Sequence, residues 1–207
     1  MNSHTHTLVV PGPAGTLELA VDSPVGAMRG VAVIAHPHPL FGGSLSNKVV
    51  QTLARAFLQQ GWRSVRFNFR GVGQSSGVHD GGRGERDDLL AVVQSQAAEG
   101  PLCLAGFSFG AFVTSHAVQS LQTERDIHRL ILVGTAASRF EVASIAPELH
   151  DRTLVIHGEG DDTVPLVDVL NWARPQHLPV TVLPGMGHFF HGQLPLLKSL
   201  AVRHIGP

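Results

Sequence analysis

The sequence predicts an α/β fold: a mostly parallel central sheet with helices on both faces and an antiparallel hairpin at its N-terminal side. Three observations carry this. Short, continuous apolar runs recur along the chain, the pattern of strands covered on both faces. Segments with apolar residues at helical spacing lie between them. Glycine or proline marks most of the joints. Strands alternating with helices imply right-handed crossovers and parallel pairing.

Taken in order, Thr7–Val10 and Thr16–Val21 read as two strands around the Pro11-Gly12-Pro13-Ala14-Gly15 turn. The second alternates apolar and polar residues, as a half-buried edge hairpin does. Gly30–Ala35 is a buried strand that runs into His36-Pro37-His38-Pro39-Leu40-Phe41-Gly42-Gly43, where two prolines exclude a helix. Asn47–Gln60 is helical, with Val50, Leu53, Ala54 and Phe57 on one face and Gly61 as its stop. Ser64–Phe69 is the next strand, followed by the loop Arg70–Gly77 and a helix over Glu85–Ala98. Pro101–Ala105 is a short buried strand and Ala111–Leu121 a helix. Leu130–Val133 and Thr153–Ile156 are further strands, the latter ending in His157-Gly158-Glu159-Gly160-Asp161-Asp162-Thr163-Val164-Pro165. Pro165 suits the first turn of a helix that runs to about Arg174. Val180–Leu183 is the last strand, Gly185–His191 its exit loop, and Gln193–Arg203 a final amphipathic helix.

Composition bounds the function. A chain of 207 residues supports one domain, 1–207, with a full core, and no repeat or linker divides it. The net charge of -1 provides no basic excess for nucleic-acid phosphates. No stretch is apolar for long enough to span a membrane, and Met1–Thr7 lacks the layout of a signal peptide. The single cysteine, Cys103, lies in a predicted core strand, where a small buried hydrophobe is the expected role. The cytoplasm is the expected location.

The segment between the Pro101–Ala105 strand and the helix after it is Gly106-Phe107-Ser108-Phe109-Gly110. A G-x-S-x-G at a strand–helix joint is a nucleophile elbow: the serine occupies a strained turn with its hydroxyl clear of the backbone, and its neighbours two positions away must be small. The helix start offers N–H groups to developing negative charge. Ligands bind beyond the carboxyl ends of such strands, and His36, Ser108, Asp161 and His188 all follow strand ends. Acyl transfer by serine needs a base, a carboxylate to orient it and donors for the oxyanion. Asp161 or Asp162 supplies the carboxylate, and His188 is the base, with His191 as competitor. His157 fixes the acid turn. His36-x-His38 lacks the further ligands a metal site needs, so no metal is expected. Gly71 and Gly73 belong to a tight loop beside the site; no Lys-Ser/Thr follows them to make a phosphate loop.

The chain order Ser108, Asp161 or Asp162, His188 resembles that of α/β-hydrolases from about Leu17 to the C-terminus. The elbow, His157-Gly158-x-x-Asp161-x-x-Val164-Pro165, Gly185-x-x-His188-Phe189-Phe190 and Arg70-Gly71-x-Gly73-x-Ser75 carry the resemblance. His36-Pro37-His38-Pro39-Leu40-Phe41-Gly42-Gly43 is similar to a group of small bacterial serine hydrolases in this superfamily. The resemblance selects Asp161, three residues before the Val of Val-Pro, and His188. It implies a serine hydrolase of small carboxylic esters or thioesters, working through an acyl-enzyme on Ser108 without a cofactor. A peptidase or amidase with the same triad, or a non-catalytic binding protein on this fold, are the other readings. The Phe109 N–H is one expected oxyanion donor. His38 or Leu40 supplies the second, since Pro37 and Pro39 have no N–H and relatives carry His-Gly where this chain has His-Pro. The short Gly134–Arg152 connection leaves no room for a helical lid, so an open site is expected. Leu40, Phe41, Phe107, Phe109, Phe140 and Phe189 are its expected walls, although each also suits the core.

Overall fold

A computed structural model describes residues 5–206; the first four residues of the polar Met1–Thr7 segment, and Pro207, lie outside the described residues. The strands are β1 (His6–Gly12), β2 (Gly15–Asp22), β3 (Val31–Ala35), β4 (Arg63–Phe67), β5 (Leu102–Phe107), β6 (Ile127–Val133), β7 (Thr153–Gly158) and β8 (Val180–Leu183). They form one sheet in the order β1-β2-β4-β3-β5-β6-β7-β8. β1 pairs with β2, and β2 with β4, antiparallel. Every later pairing is parallel. The helices are α1 (Lys48–Gln59), α2 (Arg83–Gln96), α3 (Phe109–Leu121), α4 (Leu166–Ala173) and α5 (Leu194–Ile205). This is the α/β-hydrolase fold without a lid. Among the described residues no helix is long and apolar enough to cross a membrane.

The apolar runs divide by alternate residues between two cores, which is why they are continuous in sequence. From β3, Val31, Val33 and Ala35 enter the core under α2, α3 and α4. Ala32 and Ile34 enter the opposite core, under α1 and α5. β5 divides likewise: Leu102 and Leu104 point one way, Cys103, Ala105 and Phe107 the other. Cys103 is fully buried, and burial pushes its thiol up to about 12, the state of an inert core residue.

Two expectations need correction. The β1–β2 hairpin forms the edge of the sheet, but β2 is buried rather than half-buried, because β4 covers its second side; Leu19, Ala20, Val21 and Asp22 are buried. Buried Asp22 takes a 3.0 Å ion pair from Arg66 on β4. The second helix also starts earlier than Glu85. Glu85, fully buried, accepts the N–H of Gly82 at 2.8 Å and of Asp80 at 3.0 Å, so the first turn opens at Arg83.

The Arg70–Gly77 loop fastens other elements rather than lining the cavity described below. Arg70 makes a bidentate pair with buried Asp88 of α2, and Ser75 joins the Asn68 carbonyl to the Glu18 N–H.

Candidate active site

Ser108 sits at φ 57 and ψ -118, a backbone that L-residues adopt at a cost. Its N–H donates to the Val133 carbonyl at 2.8 Å, which ties the turn to β6. A β-carbon on Gly106 would strike the Gly110 carbonyl, and one on Gly110 would meet the Ala35 and His36 carbonyls at 2.5 Å. Strand and helix therefore approach closely enough to lift the hydroxyl off the chain only with glycine at both places.

The loops after β7 and β8 lock together. The Gly160 N–H donates to the Met186 carbonyl at 2.9 Å, and the Glu159 N–H to the Leu183 carbonyl at 3.0 Å. Gly158 faces the Met186 carbonyl with no space for a side chain. This lock puts Asp161 and His188 together: His188 Nδ1 lies 2.6 Å from Asp161 Oδ2, and His188 Nε2 lies 3.0 Å from Ser108 Oγ. Asp161 Oδ1 accepts the N–H groups of Thr163 at 3.0 Å and Val164 at 2.7 Å. Burial opposes its ionisation, but the bonds from His188 and Val164, with the charges of His188 and His157, hold the carboxyl below its ordinary value. Asp162 is exposed and outside this chain of bonds, and so is His191. His157 bonds the Val164 carbonyl at 2.9 Å and closes the acid turn.

The imidazole of His36 is occupied by the backbone. Nδ1 donates to the Pro37 carbonyl at 2.6 Å, and Nε2 accepts the Phe69 N–H at 3.0 Å. Burial drives its pKa down to about 4, so the ring is a neutral brace. Among the described residues no group of three or more His, Cys, Asp or Glu is placed to hold a metal ion.

A cavity of about 340 Å3 opens over Ser108 and His188. Of the expected walls, Phe41, Phe109, Phe140 and Phe189 line it. Leu40 and Phe107 do not. Phe107 is fully buried, with its ring 5.0 Å from that of His188, because the strand's alternation turns it into the core under α1 and α5. Leu40 is 70% exposed. Its N–H donates to His38 Nδ1 at 3.2 Å and is thereby engaged. The His38 N–H has no partner among the described residues, and Phe109 is the first residue of α3, whose N–H helix geometry leaves free. Asn47, Ala136, Arg139, Thr163 and Val164 also line the cavity and were missed in the sequence. Arg139 follows the carboxyl end of β6, the same signal that located the other residues.

Between Gly134 and Arg152 the chain forms turns and one 3-10 segment, Pro147–Arg152, and no lid. A protein of Xanthomonas campestris described as an α/β serine hydrolase without lid superposes with a TM-score of 0.87 at 37% identity, covering 99% of this chain and 95% of that one. An α/β serine hydrolase homologue from Coxiella burnetii gives 0.83 at 37% identity, covering 97% of each chain. An uncharacterised protein of Rickettsia prowazekii is 28% identical over 193 residues, 86% of this chain and 79% of that protein. The family model described as Hydrolase_4, serine aminopeptidase S33, matches residues 28–154, more than half of the chain. The chain therefore belongs to this family of hydrolases, within the α/β-hydrolase superfamily.

Proposed function

We propose that the protein is a serine esterase or thioesterase for small acyl substrates. The observation that carries this reading is the unbroken chain Ser108 Oγ, His188 Nε2, His188 Nδ1, Asp161 Oδ2, with links of 3.0 and 2.6 Å. Ser108 Oγ attacks the acyl carbon while His188 Nε2 takes its proton. The N–H groups of Phe109 and His38 receive the oxyanion. His188 returns the proton to the leaving alcohol or thiol, and the acyl group stays on Ser108. Water then attacks the acyl carbon, with His188 again as base, and the acid leaves as Ser108 recovers its proton. Asp161 holds the proton of His188 on Nδ1 and stabilises the imidazolium. No cofactor takes part, and the cytoplasm is the proposed location.

The family description favours a second reading, a peptidase that removes N-terminal residues. Such an enzyme needs an anion for the substrate's ammonium. Among the described residues no carboxylate lines the cavity, which favours the ester reading.

The test is labelling by a fluorophosphonate and hydrolysis of aryl acetates. Wild-type protein is expected to label and turn over, and Ser108→Ala to lose both, with kcat down on the order of 10³-fold or more. Equal labelling of Ser108→Ala overturns the assignment; no labelling of wild type favours a binding protein.

A further inference from the structure

Beside Ser108, His188 and the Thr163 hydroxyl, the polar side chains lining the cavity, Arg139, Asn47 and His38, all present hydrogen-bond donors to it. Arg139 lines it, is exposed, and makes no ion pair or side-chain hydrogen bond among the described residues. Asn47 lines it too, but its Oδ1 accepts the Val49 and Val50 N–H groups at 2.9 and 3.4 Å, which leaves only the amide NH2. His38 Nδ1 accepts the Leu40 N–H, so the ring proton belongs on Nε2 and the second nitrogen also donates. Burial, then the neighbouring His79, holds this ring below the usual imidazole value, which keeps it in that neutral form.

Among the described residues no carboxylate lies within ion-pair distance of Arg139. Glu85 is fully buried and is saturated by His79 Nδ1 at 2.7 Å and by the Asp80 and Gly82 N–H groups. Asp161 is taken up by His188, Thr163 and Val164. The planar fork of a guanidinium suits the paired oxygens of a carboxylate or phosphate. An unpartnered one in a catalytic cleft, surrounded by donors and aromatic rings, is complementary to an anion.

We propose that Arg139 is a specificity residue, and that the substrate is an ester or thioester carrying a carboxylate or phosphate group that Arg139 binds. This rests on the hydrolase reading above and narrows its substrate class. The neutral rings of Phe41, Phe140 and Phe189 pack against the carbon skeleton, while the charged end reaches the guanidinium.

The experiment compares matched pairs of chromogenic esters: an aryl butanoate with the aryl hemisuccinate, and phenyl acetate with its 4-carboxy and 4-phospho derivatives. The first pair puts the anion on the acyl side, the second set on the leaving group and separates carboxylate from phosphate. The expected result is a preference of about tenfold in kcat/KM for an anionic member. It should shrink with added salt, fall toward unity in Arg139→Gln and reverse in Arg139→Glu, with part retained in Arg139→Lys. A ratio that Arg139→Gln leaves unchanged in every set overturns the proposal. Calorimetric binding of succinamate and phenyl phosphate to wild type, Ser108→Ala and Arg139→Gln makes a separate readout. Anion binding lost only in Arg139→Gln, with no ester turned over, would retain the Arg139 site and sink the esterase reading. Ester turnover without anion dependence would do the opposite.

Discussion

A β-carbon on Gly110 would lie 2.5 Å from the carbonyl oxygen of Ala35. The first turn of α3 and the end of β3 thus pass each other at a distance only glycine permits. Alanine is the better helix former by about 1 kcal/mol, but the clash is with backbone, which cannot rotate away as a side chain can. We predict that Gly110→Ala is destabilised by about 2 kcal/mol or more. It should also lose activity, because β3 leads directly into the His38 loop. Urea unfolding and ester kinetics check this together; a variant as stable and active as wild type would refute the close-approach argument.

Asp161 and Asp162 are adjacent in sequence and differ in environment. Asp161→Asn would still accept the Thr163 and Val164 N–H groups through its oxygen. Its amide NH2 would then face His188 Nδ1 and force the imidazole proton onto Nε2, where it blocks removal of the Ser108 proton. We predict a loss in kcat of about 10³-fold or more for Asp161→Asn, and a change within about twofold for exposed Asp162→Asn. Comparable losses in the two variants would show that the Asp161–His188 bond does not set the tautomer.

The order of elements was legible because the parallel sheet needs strands buried on both faces, and the apolar runs Gly30–Ala35 and Pro101–Ala105 have that character, although the second strand runs on to Phe107. The serine turn was legible because Gly106 and Gly110 answer a steric demand within five residues of one another. The burial of β2 was not, since it depends on β4 pairing to it from more than forty residues away in the chain. The early start of α2 depends on Glu85 bonding backward to Gly82, a side-chain geometry that the pattern of apolar residues does not encode. Phe107 and Phe109 flank the same serine, yet only Phe109 lines the cavity; the alternation of β5 decides that. Arg139 was passed over because a lone arginine on a loop carries no motif, and its meaning arises only from what surrounds it.

His36 makes a pH prediction possible. Its folded pKa is about 4, below the ordinary 6.5, because burial disfavours the cation. Between these values the unfolded chain binds the proton and the folded chain does not. The stability associated with neutral His36 is therefore whole above about pH 6.5, falls as pH drops, and is gone below about 4. The integrated loss is about 3 kcal/mol. His36→Gln, whose side-chain oxygen can accept the Phe69 N–H, is expected to be less stable at pH 7 but to lose less between pH 6.5 and 4. Urea midpoints across that range check it. Parallel pH curves for the two proteins would mean that His36 protonates without unfolding its surroundings.

Acyl length tests the openness of the site. The Gly134–Arg152 connection builds no lid, and Phe41 at the cavity mouth is 74% exposed, so the walls end at solvent. A long chain would leave methylenes in water and forgo up to ~0.8 kcal/mol for each. Short acyl groups lose little by this, since the cavity of about 340 Å3, lined by Phe109, Phe140 and Val164 among others, has room for them. We predict that kcat/KM for aryl acetate and butanoate exceeds that for octanoate and palmitate, with no jump in rate when substrate passes its solubility limit. With the anion subsite proposed at Arg139, lengthening a neutral chain brings further apolar surface against a charged wall, and the decline steepens. A rise toward palmitate would show instead that the exposed rim of Leu40, Phe41 and Phe189 folds over long chains and acts as a lid of its own.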